Sequence, residues 1–278
     1  MKAIAPGSMI NNFEIVSLIG IGGYAKIYKV KKTENDHDNY YVMKTESINS
    51  EKKVLSDEIK TIKNLKGSYF PKLYDFGQNS QYKINYYVID LYGSSIDTIQ
   101  EFYHKNIGIS TAYNICLKML EVIQTFHSQG FIHRDIKPGN FLIQNNPKSP
   151  LVLIDFGIRQ RFIDQSTNKP FHMKKEKYFT GTTRYASISA CLGNPQGRHD
   201  DLISWFYSFI DLSCGFLPWD EAVDFNDMLF MKKFLNLNCL NRKFPKEITI
   251  LFKYIKKLKY AKEPDYEYKA TICKFHAG

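Results

Sequence analysis

The chain has 278 residues, of which 44% are hydrophobic and 24% are charged. This composition is typical of a globular protein, either one large domain or two lobes that share a cleft, and it excludes disordered and collagen-like chains. The formal net charge of +10 is compatible with acidic partners, but a Lys-rich surface is more often a solvated face that binds nothing.

Cysteine usage and hydropathy indicate a reducing compartment. The 5 cysteines are scattered along the chain, and none forms a C-x-x-C pair. No N-terminal apolar run resembles a signal peptide. The most apolar segment, 202–219, is interrupted by polar residues and is shorter than the ~20 residues of a membrane span. We therefore expect a cytoplasmic or nuclear protein without a membrane partner.

The first ninety residues or so predict an antiparallel sheet with one main helix. Short runs rich in β-branched and aromatic residues predict strands at 13–20, 25–31, 40–44 and 86–91. Between them, residues 50–66 carry apolar side chains at helical spacing and stop at Gly67. This half of the chain is predicted to be a small β lobe, 9–90.

After Gly93 the pattern predicts mainly helices, at 112–130, 201–215, 225–237 and 247–258. Two short strands, 141–144 and 151–154, flank a polar turn. The predicted fold class is therefore α+β, with a larger and mostly α-helical lobe at 91–278. Both lobes belong to one predicted domain, 1–278.

A glycine-rich turn precedes a strand lysine. Gly20 ends the first predicted strand, and Gly22 and Gly23 lie between it and the second. Glycine lets backbone N–H groups approach phosphate oxygens. Alone, such a turn is more often a plain hairpin. Lys44 ends the third strand, and Glu58 follows it on the predicted helix. A lysine and a glutamate in this order can form an ion pair that holds the ammonium against a nucleotide.

Two blocks further along carry the chemistry, His133 to Asn140 and Asp155-Phe156-Gly157. Asp135 is the candidate base or orienter of an attacking hydroxyl, and Lys137 neutralises charge on a transferred phosphoryl group. Asn140 and Asp155 are candidate magnesium ligands. His133 is expected to pack in the loop, because the adjacent carboxylate fills the base's role. Asp, Gly and Pro also favour ordinary turns, but the order of the blocks favours phosphoryl transfer from ATP.

Three further regions carry a resemblance to a known family. They are Thr180-Gly181-Thr182-Thr183-Arg184-Tyr185-Ala186-Ser187-Ile188-Ser189, Gly197-Arg198-His199-Asp200-Asp201-Leu202 with Ser204-Trp205-Phe206-Tyr207, and Leu217-Pro218-Trp219 with Pro264-Asp265-Tyr266-Glu267-Tyr268. With the preceding blocks, they resemble the casein kinase one group of Ser/Thr protein kinases, and most closely its tau-tubulin kinase branch. The resemblance covers about 9–275 and implies the two-lobed protein kinase fold.

The resemblance also implies roles for individual residues. Thr182 would line the active site beside Asp135 and Lys137, and Asp201 would anchor the catalytic loop. Lys177 and Arg184 would hold a substrate anion, with Lys232 or Lys233 as a third basic residue. The implied nucleotide site consists of Ile19, Gly20, Ile21, Gly22, Gly23, Ile27, Val42, Lys44, Glu58, Leu142 and Ile154, with Ile89 as gatekeeper and Asp90 and Leu91 in the hinge. Ala25 replaces the third glycine of the family's loop.

The resulting expectation is a monomeric Ser/Thr protein kinase that uses ATP and Mg²⁺ and prefers acidic or already phosphorylated protein substrates. One alternative is a catalytically silent pseudokinase that acts as a partner-binding scaffold. The presence of all five residues, Lys44, Glu58, Asp135, Asn140 and Asp155, disfavours it. The other alternative is a nucleic-acid or microtubule-binding protein, but no zinc spacing or aromatic-basic repeat supports specific nucleic-acid binding.

Overall fold

The structure, a computed structural model, describes residues 2–23, 25–33, 39–105, 107–164, 166–172, 175, 179–240 and 244–267. The chain divides into two compact units. Unit 1 is Met1–Gly93 with Ile154–Gly157, and unit 2 is Ser94–Leu153 with Ile158–Gly278. Unit 1 thus extends slightly beyond the predicted boundary at residue 90 and also takes in the Asp155-Phe156-Gly157 block.

Unit 1 contains a six-stranded antiparallel sheet in the order β1-β2-β3-β4-β6-β5. Its strands are β1 (Met9–Ile10), β2 (Phe13–Ile21), β3 (Ala25–Lys32), β4 (Tyr40–Ser47), β5 (Leu73–Asn79) and β6 (Ile84–Asp90). Side chains that alternate along the strands form its core, and Ile15, Tyr28, Val30, Met43 and Val88 are fully buried. The period-two pattern thus packs one face of the sheet.

The helix of unit 1, α1 (Val54–Asn64), is shorter than the predicted 50–66. Residues before it form a turn, in which the Ser50 N–H donates to the Ser47 carbonyl. The Val54 N–H then donates to a carboxylate oxygen of Glu46 at 3.1 Å. Because the first N–H groups of a helix have no partner within it, this side chain from β4 fixes where α1 begins.

Unit 2 is mainly helical, as predicted. Its helices are α2 (Ile96–Phe102), α3 (Ile109–Ser128), α4 (Ile188–Cys191), α5 (Arg198–Cys214), α6 (Phe225–Lys233) and α7 (Lys246–Lys257). Helices α3 and α5 pack together, and the indole N–H of Trp205 donates to the Cys116 carbonyl at 2.8 Å. Helix α5 begins before the predicted residue 201 because Asp200 accepts the Gly197 N–H at its N-terminus. It ends before Gly215, whose φ of +81° terminates the helix.

Short strand pairs position the loops of unit 2. They are β7 (Phe131–Ile132) with β10 (Gln160–Arg161), β8 (Phe141–Ile143) with β9 (Leu151–Leu153), and β11 (Ile163–Asp164) with β12 (Lys169–Pro170). The loop 133–140 runs from β7 to β8 and ends in the 3-10 helix Pro138–Asn140. Strand β9 leads directly into Ile154–Gly157 of unit 1. In the described part of the chain, no helix has the length and apolarity needed to cross a bilayer.

Candidate functional site

Lys44 and Glu58 form a close ion pair in unit 1, as their spacing predicted. The Lys44 ammonium lies 3.0 and 2.8 Å from the two carboxylate oxygens of Glu58, and 3.0 Å from an Asp155 oxygen. The Glu58 side chain is 0% exposed. A buried carboxylate is stable only when it is paired and hydrogen-bonded. The pair therefore sets the position of α1 against strand β4.

Tyr87 completes this cluster, and the sequence prediction missed it. In the sheet register, Tyr87 on β6 lies opposite Lys44 on β4. The Tyr87 hydroxyl hydrogen-bonds to Glu58. Burial, and then the charge of Glu58, raise the pKa of Tyr87, so this hydroxyl stays protonated and donates. The strand register would have indicated this neighbour if the pairing of β4 with β6 had been known.

The charge state of Lys44 follows from its neighbours. Burial lowers the pKa of the Lys44 ammonium, but Tyr87, Glu58 and Asp155 raise it by more. The net pKa lies well above the ordinary value for lysine. Lys44 therefore carries a full positive charge at neutral pH, which suits it to contact phosphate oxygens.

Asp155 adopts a backbone conformation that is rare for a residue with a side chain. Its φ is +65°, in the left-handed region, and its side chain is 46% exposed. The next residue, Phe156, is buried and donates its backbone N–H to Glu58. Strained conformations of this kind persist where the surroundings hold them, often at functional sites.

The packing of unit 1 does not require glycine in the turn between β2 and β3. A side-chain carbon at Gly23 would meet no atom within 4 Å, and one at Gly22 would meet only a backbone oxygen at 3.7 Å. Neither glycine has a positive φ. The described fold thus gives no steric reason for glycine at these two positions, which is consistent with a turn that leaves space for a ligand.

Asp135, Lys137 and Thr182 lie together in unit 2, as the resemblance implied. The Lys137 ammonium lies 2.7 Å from an Asp135 oxygen and donates to the Thr182 hydroxyl at 2.8 Å. The Thr182 N–H donates to the other Asp135 oxygen at 3.0 Å. These contacts fix the carboxylate and leave the ammonium at its edge, an arrangement that suits orientation of a hydroxyl beside transferring negative charge.

Asn140 reaches the same carboxylate from the 3-10 helix. Its side-chain nitrogen donates to the backbone carbonyl of Asp135 at 2.7 Å and to the carboxylate at 3.3 Å. The amide oxygen of Asn140 remains as the acceptor on that side chain. Amide and carboxylate oxygens are the hard ligands that Mg²⁺ prefers, so the donor types of Asn140 and Asp155 fit the predicted metal.

Asp201 anchors the loop that carries Asp135, as predicted. Its two oxygens accept the backbone N–H groups of His133 and Arg134 at 2.7 and 2.8 Å, and its side chain contacts His127 at 2.7 Å. Burial raises the pKa of Asp201, but these hydrogen bonds and the nearby histidines lower it below the ordinary value. Arg134 is held with φ at +72°. The expectation that His133 packs inside the loop is also confirmed, because its side chain is buried.

Arg184 is not a free anion-binding residue in this structure. Its guanidinium makes bidentate contacts with Asp211 at 2.9 Å and with Asp220 at 2.6 Å, and it also donates to the Tyr185 hydroxyl. All five N–H groups of Arg184 are engaged. A substrate anion would have to displace one of these carboxylates. Lys177, its predicted partner, lies outside the described residues.

The predicted nucleotide residues lie mostly on the sheet of unit 1. Ile19, Gly20 and Ile21 end β2, Ile27 is on β3, and Val42 on β4 pairs with Ile89 on β6. The side chain of Asp90 accepts hydrogen bonds from the Tyr74 and Tyr92 hydroxyls, so its carboxylate supports the local structure. Leu91 follows β6, Ile154 belongs to unit 1, and Leu142 lies on β8 of unit 2. The nucleotide-binding role of these residues stays a prediction.

Comparison with known proteins identifies the family. The model of the protein kinase domain matches residues 13–267, which is most of the chain. This chain belongs to the protein kinase family. The predicted two-lobed kinase fold, with a small antiparallel lobe and a larger helical lobe, is thereby confirmed.

A curated relative of this protein kinase comes from Dictyostelium discoideum and is named a probable serine/threonine-protein kinase. The two are 30% identical over 273 residues, which cover 96% of this chain and 54% of the relative. The kinase chain thus spans about half the length of the relative. Protein kinases in general use ATP and a divalent metal ion. In the described part of the chain, no group of three or more His, Cys, Asp or Glu side chains forms a metal cluster.

Proposed function

We propose that this protein kinase transfers the γ-phosphate of ATP to Ser or Thr hydroxyls of protein substrates. The observation that carries the proposal is the contact of Asp135 and Lys137 with each other and with Thr182. A pseudokinase scaffold is disfavoured, since the charged residues that phosphoryl transfer requires are in ordered contact with each other within each unit.

Each residue has a distinct role in the proposed reaction. The Asp135 carboxylate accepts a hydrogen bond from the substrate hydroxyl and orients its oxygen for attack. Lys137 stabilises the negative charge that spreads over the transferring phosphoryl group. Lys44 is held by Glu58 and would contact the α- and β-phosphates of the nucleotide. Asn140 and Asp155 would hold Mg²⁺, which would neutralise part of the phosphate charge.

The finer assignment is to the casein kinase one group, closest to the tau-tubulin kinase branch. It is supported by the segment Thr180 to Ser189, which is one of the segments that carry the resemblance. The position of Thr182 beside Asp135 and Lys137 also supports it. A lysine two residues after the base also supports Ser/Thr over Tyr acceptors. Cytoplasmic or nuclear location and a monomeric state stay predictions from composition and resemblance.

A preference for acidic or pre-phosphorylated substrates belongs to the proposal as well. Its remaining support is the net charge of +10, which attracts acidic peptides through a long-range field. The support from Arg184 is weakened, since Asp211 and Asp220 already neutralise its guanidinium. The preference is therefore expected to be modest and to weaken as salt increases.

The test is transfer of labelled γ-phosphate from ATP and Mg²⁺ to matched plain, acidic and pre-phosphorylated Ser/Thr peptides. Wild type is compared with Asp135→Asn, and Asp57→Asn is the matched control because Asp57 is exposed on α1. We expect transfer in wild type and in the control, and a loss of about a thousandfold or more in Asp135→Asn. Absence of transfer in wild type on all peptides, with ATP still bound, would contradict the kinase proposal and favour the pseudokinase alternative.

A further inference from the structure

Lys232 on α6 is a fully buried lysine. Its side chain is 0% exposed. Its ammonium donates hydrogen bonds to the backbone carbonyl oxygens of Thr183 and Ala186, the latter at 2.7 Å. Lysine is almost never fully buried unless it is paired. In the part of the chain that the structure describes, no carboxylate forms a salt bridge with Lys232. Backbone carbonyls therefore take the place of a counter-ion.

The surroundings of Lys232 are apolar or aromatic on each element that packs against α6. The ammonium lies 5.3 Å from the ring centre of Tyr207 on α5 and 5.1 Å from that of Trp219 in the 3-10 helix Pro218–Glu221. Cys191 on α4 is the acidic group that acts on the charge of Lys232, and burial raises the pKa of its thiol, so it stays neutral. Tyr207 stays neutral for the same reason. The ring faces add a modest attraction to the cation.

The carbonyls that Lys232 binds belong to the segment directly after Thr182. The N–H groups of Tyr185 and Ala186 both donate back to the Thr182 carbonyl at 3.1 Å, so Thr182–Ala186 form one tight turn. The indole N–H of Trp219 also donates to the Arg184 carbonyl at 2.7 Å. Lys232 and Trp219 thus hydrogen-bond to the carbonyls of this turn, while its first residue, Thr182, contacts Asp135 and Lys137.

We propose that Lys232 is a positioning residue for phosphoryl transfer, which holds the turn Thr182–Ala186 so that Thr182 keeps its contacts with Asp135 and Lys137. The inference rests on the kinase activity proposed above. It also distinguishes Lys232 from Lys233, which the sequence left as alternatives for the third basic residue of an anion site. Lys232 is buried and turned to backbone carbonyls, whereas Lys233 is exposed and lies over the Phe234 ring at 5.4 Å.

The pH dependence of activity gives a readout that a merely structural role would not change. Burial lowers the pKa of Lys232 to about 8. Above that pH the ammonium loses its charge, and its hydrogen bonds to the two carbonyls become weaker. We therefore expect kcat of the wild type to fall as pH rises above about 8.

The experiment compares Lys232→Met with Lys233→Met, which makes the same change at the adjacent exposed position. Transfer to a fixed Ser peptide is measured from pH 6.5 to 9.5, with thermal unfolding measured for each variant. We expect Lys232→Met to lower kcat about tenfold to a hundredfold, with KM for ATP changed less than about threefold. Its kcat should also lose the fall above pH 8. Lys233→Met should resemble wild type in kcat, in KM for ATP and in the fall of kcat above pH 8.

Two results would overturn the inference while leaving the kinase proposal intact. One is an active Lys232→Met whose kcat and pH profile match those of Lys233→Met. If Lys232→Met fails to fold, the profile of the wild type decides, and a flat kcat up to pH 9.5 counts against Lys232. Absence of transfer in wild type is a different outcome, because it removes the kinase activity itself.

Discussion

The carboxylate of Glu58 accepts a hydrogen bond from the backbone N–H of Phe156 at 3.1 Å. The same carboxylate holds the Lys44 ammonium. Helix α1 is therefore tied at one side chain to strand β4 and to the segment Ile154–Gly157, all within unit 1. A displacement of α1 would change the position of Lys44 and the backbone around Asp155 together.

Glu58→Gln is predicted to weaken nucleotide use and stability together. The amide keeps nearly the same shape but removes the charge that balances a partly buried lysine. We expect KM for ATP to rise about tenfold and the free energy of unfolding to fall by about 3 kcal/mol. Steady-state kinetics and chemical denaturation measure the two effects. Asp57→Asn, on the exposed face of the same helix, should change neither, and a Glu58→Gln enzyme with normal KM for ATP would contradict the role of the ion pair.

Thr182→Val is predicted to lower turnover without loss of ATP binding. Valine has a similar shape but offers no oxygen to Lys137, while the backbone N–H still reaches Asp135. We expect kcat to fall about tenfold, consistent with loss of one hydrogen bond to a charged group. Thr183→Val is the matched control, since Thr183 is exposed. Equal kcat values for the two variants would show that the Thr182 hydroxyl is dispensable.

Asp201 is predicted to stabilise the fold above about pH 4. Its pKa is lowered in the folded protein, so the unfolded chain binds the proton more readily on acidification. The stabilisation is present above the unfolded pKa and is lost as pH falls through the folded pKa. Asp201→Asn should lower the free energy of unfolding at pH 7 by about 3 kcal/mol, because an amide nitrogen would face an N–H donor. Denaturation of both proteins from pH 7 to 3 tests this, and a difference that does not shrink on acidification would exclude the carboxylate as its source.

The lowered pKa of Lys232 also makes stability rise with pH, but in an alkaline range, because burial disfavours the charged lysine whereas hydrogen bonds favour the charged Asp201. The pKa of Lys232 is about 8 in the fold against an ordinary value of 10.5, so the unfolded chain binds more protons between these values. Folding is therefore favoured as pH rises from about 8 to about 10.5, by roughly 3 kcal/mol from this group. The difference in unfolding free energy between wild type and Lys232→Met, measured at pH 7 and 10, isolates this contribution. It should shift in favour of wild type at the higher pH, and a constant difference would mean that the Lys232 pKa is not lowered.

Several elements could be predicted from the sequence because their apolar spacing is strong. Helices α3, α5 and α7 lie within a few residues of their predicted bounds. Strand β5 was missed because its sequence, with Asp75, Gly77 and Asn79, has poor strand propensity, and pairing with β6 determines its structure. Helix α2 was missed because seven residues show too little periodicity.

The site was predictable where a motif fixes order and spacing, as for the Lys44–Glu58 pair. It was not predictable where contacts depend on side chains from distant elements. The carboxylates that bind Arg184 come from α5 and from the 3-10 helix after it, and no spacing rule connects them. The burial of Lys232 likewise depends on how α6 packs against α4, which local sequence cannot show.

The enclosure of Arg184 has a consequence for redesign of substrate choice. Asp211 is buried, but the side chain of Asp220 is 29% exposed, and besides Arg184 it accepts the Leu217 N–H at 2.8 Å. The two carboxylates already accept the hydrogen bonds that the Arg184 guanidinium would otherwise donate to a phosphate group. An engineered enzyme selective for phosphorylated peptides would therefore begin by removing a negative charge at residue 220, not by adding a positive one nearby.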